Sequence, residues 1–284
     1  MSDGLIPTMS FVAILGAGPV GAATAESLAR RARIRAVRIV DADAQVAAGK
    51  ALDISQAGPI TGADTRVTAA ADPLSATGAS VIVIADTVKD GEWTGDAGLA
   101  LVEQLVRAGA AAPIVFAGPS QTALLEACAR DLKLPAHRLI GSASSAIVGT
   151  ARSLAGMELG LSSVELTVVG RPPHFVVGWS AASAAGSLIV DRVPAHRLLA
   201  ISESLARFWP PGPCAIGSAT AAIVEALIFG SRRLHPALTV GDHGLGAAGS
   251  AVMVPLELGR LRVLSHVVPS LSPQERTAVL RETS

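Results

Sequence analysis

The chain has 284 residues, half of them hydrophobic and 3% aromatic, with 23 basic and 23 acidic side chains and a formal net charge of zero. That length suits one large or two ordinary domains with a sizeable core, and the balanced charge argues against nucleic-acid and membrane-surface partners, which need a basic excess. The sequence contains no Tyr, so catalysis by a tyrosyl hydroxyl is excluded.

The first residues, MSDGLIPTMS, lack a basic region followed by an apolar stretch, and the reading is a leaderless cytoplasmic chain. Cys214–Gly230 is the most hydrophobic later segment, but it carries Glu225 and is short for a membrane span. Cys128 and Cys214 fit neither a disulfide framework nor a metal site and read as small buried hydrophobes. No pair of histidines has metal-ligand spacing, so no metal is expected.

In chain order, Phe11–Leu15 is a short apolar run of buried-strand type, followed by Gly16, Gly18 and Gly21 in G-x-G-x-x-G spacing with Pro19 and Val20 between. Ala22–Arg31 then reads as a helix with late cations suited to its C-terminal dipole. Such glycines allow a tight turn and close backbone approach to a pyrophosphate, which would sit on the free N–H groups at the helix N-terminus. A second strand, Ala36–Val40, ends at Asp41, where an acid accepts hydrogen bonds from an adenosine ribose and repels a 2′-phosphate. The expected cofactor is therefore NAD rather than NADP, although Asp41 also reads simply as the cap of the following turn.

Alternation continues with a helix at Ala44–Gln56, strands at Arg66–Thr68, Val81–Ala85 and Pro113–Ala117, helices at Gly98–Ala108 and Gln121–Leu132, and a final run at Arg138–Gly141. Strands alternating with helices predict a doubly wound parallel sheet. Ligands bind outside the carboxyl ends of such strands, so the loops after Leu15, Val40, Ile84 and Phe116, including Ala85 and Gly118, surround the site. From residue 142 the texture is mixed α+β. It holds a helix at Ser144–Leu159, strand-like runs at Val164–Val169 and Phe175–Val177, and the segment Leu188–Val193. Helices around Ala195–Phe208 and Ser218–Leu227 and strands at Ala237–Val240 and Val252–Leu264 complete it. The division expected is residues 1–141 and 142–284.

Taken together, VGAATAESLARRARIRAVRIVDADAQVAAGKALDISQAGPITGAD, RLIGSASSAIVGTARSLAGMELGLS and GSATAAIVEAL resemble the lactate/malate dehydrogenase family, especially the lactate-dehydrogenase-like malate dehydrogenases. The resemblance implies a Rossmann-type NAD-binding domain, an α+β substrate domain, assembly as a homodimer or homotetramer, and NAD-dependent interconversion of a small 2-hydroxy acid and its 2-keto acid. In that chemistry a histidine acts as acid–base, a buried aspartate orients it, and an arginine grips the substrate carboxylate in a bidentate fork.

The chain departs from the family at each of these positions. Where the joining helix of the family reads approximately L-D-S-x-R-F-R, this chain has Ala146-Ile147-Val148-Gly149-Thr150-Ala151-Arg152, with Ile147 for the aspartate and Thr150 for the arginine. Arg152 lies two residues on, roughly 200° around a helix. The histidine of V-x-G-x-H-G-D falls on Pro172, and the asparagine of T-N-P, which contacts nicotinamide and substrate, falls on Gly118. The loop ADTVKDGEWTGDAG holds Lys89 and several carboxylates where the family carries arginines. His174, two places past the histidine register, is the remaining candidate catalytic residue, and Arg171 the candidate anion contact; both also read as structural or exposed residues. Two functions follow: an NAD-dependent oxidoreductase with weak or altered activity, or a degenerate pseudoenzyme that binds NAD or serves in assembly or regulation.

Overall fold

The computed structural model describes residues 11–161 and 163–283, so the reading of Met1–Ser10 lies outside them. Among the described residues the first half alternates β1 Val12–Leu15, α1 Pro19–Arg31, β2 Ala36–Val40, α2 Ala44–Thr61, β3 Arg66–Ala70 and β4 Val81–Ile84. It continues with α3 Gly95–Arg107, β5 Ile114–Phe116, α4 Thr122–Arg130 and β6 Leu139–Gly141. The second half contributes α5 Ser145–Leu159, β7 Val168–Arg171, β8 His174–Val177, α6 Ala195–Leu205 and α7 Pro213–Phe229. It ends with β9 Leu234–Val240, β10 Ala251–Gly259, β11 Arg262–His266 and α8 Pro273–Thr283.

All of these strands join one sheet, in the order β8-β7-β10-β9-β6-β5-β4-β1-β2-β3, with β11 paired to β10. From β3 to β6 the pairs are parallel, and from β6 outward they are antiparallel. The central parallel strands β1, β4 and β5 are apolar throughout because helices cover both faces. One face packs against α3, α4 and α5 through residues such as Leu105, Leu125 and Ile147. The other packs against α1, α2 and α7 through Leu28, Ala47, Ile223 and Leu227. With small side chains, the core depends on close approach of helices to strands rather than on aromatic bulk.

Several expectations need correction. Helix α7 starts at Pro213, whose missing N–H is harmless at the first helical position. Within Leu188–Val193 the chain forms a single 3₁₀ turn, Ile189–Asp191. Val252–Leu264 is two strands, turned at Leu261 with φ +60°. Cys128 is buried, and burial pushes its thiol up to about 12; Cys214 is exposed on the first turn of α7. His243 lies in the loop after β9, buried and with Nε2 3.1 Å from the Thr239 carbonyl. Among the described residues no single helix is long and apolar enough to cross a membrane.

Candidate cofactor cleft and substrate corner

The carboxyl ends of β1, β2, β4 and β5 meet at the glycine-rich turn. Gly16 has φ +121°, and a Cβ on Gly21 would stand 2.0 Å from the Gly16 carbonyl oxygen, so the turn closes only with glycine there. Pro19 is the first residue of α1, and the N–H groups of Val20 and Gly21 point out of the helix end. Lys50 donates to the Ala17 carbonyl and ties α2 to the turn. This is the backbone form that receives a diphosphate.

Those donors are already taken. Immediately after β4 the chain makes a hairpin in which Asp86–Thr87 pairs with Gly91–Glu92. The Asp86 carboxylate accepts from Val20 N–H at 3.2 Å and Gly21 N–H at 2.9 Å, and its carbonyl accepts from Gly18 N–H at 2.8 Å. In this conformation the chain itself supplies the anion at the helix end.

Asp41 is buried and equally engaged. One of its carboxylate oxygens accepts from Ala17 N–H at 2.8 Å and Val88 N–H at 3.1 Å, and the other from Asp43 N–H at 2.9 Å. Asp43 caps α2, and the bond from Val46 N–H, helped by Lys89, holds its carboxyl below the ordinary range. Ala85 is fully buried, its carbonyl accepting from the Gln121 side chain at 3.3 Å.

Gly118 donates to the Gln121 side-chain oxygen at 2.9 Å. A Cβ on Gly118 would meet a Glu92 carboxylate oxygen at 2.2 Å. Glu92 thus fills the space that a side chain at residue 118 would use, and it accepts from Ser120 N–H at 2.8 Å at the entrance to α4. Burial raises the Glu92 carboxyl above its ordinary range, against the bonds from Ser120.

Arg171 and His174 stand elsewhere. Both line a cavity of about 780 Å³ with Glu126, Arg130, Pro172, Ser250 and Glu282, and no residue of the glycine-rich turn, the 86–92 hairpin or Gly118 lines it. Arg171 is held in a two-pronged pair by Glu126, which also accepts from Ala251 N–H at 2.7 Å. That pairing raises the Arg171 guanidinium further above its ordinary value. His174 is exposed, with Nδ1 3.2 Å from Glu282.

Ile147 is fully buried in the apolar core, and Thr150 lines a separate groove with Phe208 and Pro236. The hairpin side chains Asp86 and Glu92 were the residues that motif spacing missed. The available signal was an acid directly after β4, at the edge of the sheet where ligands bind. Among the described residues no cluster of His, Cys, Asp and Glu could hold a metal ion.

Comparison with known proteins agrees with this architecture. Residues 11–104 match the family model for the lactate/malate dehydrogenase NAD binding domain. A malate dehydrogenase of Nitratiruptor sp. is 30% identical over 94% of this chain and 91% of its own length. An L-lactate dehydrogenase of Geotalea daltonii is 28% identical over 94% of each chain. The solved malate dehydrogenase of Salinibacter ruber superposes with a TM-score of 0.84 at 24% identity, covering 95% of this chain and 92% of that one.

Proposed function

Because the chain belongs to the lactate/malate dehydrogenase family, an NAD-dependent oxidoreductase family, we propose that it is a catalytically degenerate member: it retains the nicotinamide-nucleotide fold and turns over small 2-hydroxy or 2-keto acids weakly or not at all. The observation that carries this reading is the chemistry around Ile147. A proton-donating histidine needs an orienting acid; this helix instead packs Ile147 into apolar core, and the histidine register holds Pro172. Restoring the acid alone would bury an unpaired charge.

The grip on a substrate carboxylate is also missing. Thr150 offers a neutral hydroxyl in place of a guanidinium, and Arg171 is already paired in two-pronged fashion with Glu126. His174 on its exposed strand end has Glu282 beside it, while no residue of the cofactor turn lines its cavity. General acid–base catalysis contributes roughly 10²–10⁴ in rate. Purified protein with NADH is therefore expected to reduce oxaloacetate and pyruvate at least ~10³-fold more slowly than an intact family member. Stopped-flow absorbance at the NADH band measures this, and turnover within tenfold of an intact member would overturn the reading. Assembly into a homodimer or homotetramer belongs to the same proposal, and light scattering of the purified chain tests it.

A further inference from the structure

The hairpin after β4 touches the glycine-rich turn, Asp41 and the space over Gly118. Asp86 is buried at the α1 N-terminus, where helix N–H groups and the helix dipole favour an anion. Val88 N–H is held by Asp41, the acid placed for the ribose. Glu92 fills the space over Gly118 and accepts from both the N–H and the hydroxyl of Ser120. Lys89 pairs with Asp43 at 3.2 Å along the rim. Gly91 and Gly95 close the segment with φ of +73° and +53°, and nothing lies within 4 Å of a Cβ built on either. These are two open positions at which the backbone can turn.

We propose that this hairpin is a built-in occupant of the cofactor cleft. Asp86 stands in for the diphosphate at the α1 N-terminus, Glu92 fills the nicotinamide side over Gly118, and NAD(H) enters only when the hairpin swings out. The inference rests on the cofactor reading above. Two anions cannot share the N–H pair of Val20 and Gly21, so cofactor and hairpin exclude one another by charge as well as by volume. Affinity for NADH is then the intrinsic affinity of the open cleft multiplied by the fraction of molecules with the hairpin displaced. Anything that shifts the hairpin regulates the site.

Calorimetric titration of full-length wild type, Asp86→Ala, Asp86→Asn and Glu92→Ala with NADH and with ADP-ribose tests the proposal. ADP-ribose carries the diphosphate and lacks nicotinamide. Asp86→Ala should tighten both ligands at least ~10-fold, since it removes a resident charge-assisted acceptor. Asp86→Asn keeps the shape without the charge and should show an intermediate gain; it is the variant to read if the alanine variant fails to fold. Glu92→Ala should tighten NADH and leave ADP-ribose within about twofold, because its contact lies on the nicotinamide side. Wild type binding both ligands as tightly as the Asp86 variants overturns the proposal and leaves the cofactor reading standing. Absence of binding by wild type and every variant overturns both.

Discussion

Two parts of this molecule bear on the proposed reading in opposite ways. At the glycine-rich turn the backbone for an anion is intact, from the φ of Gly16 to the N–H groups at the start of α1, and only their occupant, Asp86, is unexpected. At Ile147, Thr150 and Pro172 the helix and strand are in place, and in the proposed reading they carry no side chain for acid–base chemistry or for gripping a carboxylate. A site built from backbone donors can take either a ligand's phosphate or the chain's own carboxylate. A site built from buried side chains depends on its full set, because each polar member left alone is a desolvated group without a partner.

The contrast is most directly broken at Ile147. Ile147→Asp should cost about 3–5 kcal/mol, since the new carboxylate enters apolar core with no cation to meet it. Urea denaturation followed by circular dichroism measures this, and a loss below about 1 kcal/mol would mean that a polar partner is still in reach.

A smaller effect is expected on the intact side. Gly21→Ala forces a Cβ toward the Gly16 carbonyl, and overpacking of this kind costs about 1–3 kcal/mol. A thermal midpoint equal to wild type would show that the turn can yield, and the claim that its backbone is fixed would fail.

The smallest expected effect lies at His243 and serves as a background against which both are read. His243 is buried with Nδ1 unpartnered among the described residues and Nε2 facing the Thr239 carbonyl. Burial lowers its folded value, with the nearby His266 acting in the same direction. A base whose folded value is depressed contributes stability that is present above its unfolded value, near 6.5, and is lost as pH falls through the folded one. Melting temperature should therefore hold from pH 8 to about 7 and decline below about 6.5. His243→Gln should flatten part of that decline; identical pH profiles would exclude His243 as its source.

What could be read without the structure follows the range of the interactions. Strand β1, the glycine spacing and the end of β2 at Asp41 are local patterns of a few residues, and they lie where periodicity puts them. Asp86 is bonded to residues 65 and 66 positions earlier, and nothing in the local sequence marks that partnership. The pairing of Arg171 with Glu126 spans 45 positions and is equally silent. Helix α8 was missed for another reason: PQERTAVLRET has few apolar residues, and only Val279 and Thr283 are buried.

The salt bridges of Glu225 bear on how the chain comes together in time. Arg31 at the end of α1 and Arg33 just beyond it both meet Glu225 on α7, 194 and 192 residues later. The same helix lays Ile216, Ile223, Val224 and Leu227 on the sheet face that also holds Val12 and Ile14. As the polypeptide leaves the ribosome, the parallel sheet is complete at Gly141 while one of its faces still lacks this cover. The nucleotide-binding half is thus synthesised first and sealed late. A fragment ending at Gly141 would expose apolar surface and leave two arginines without their acid.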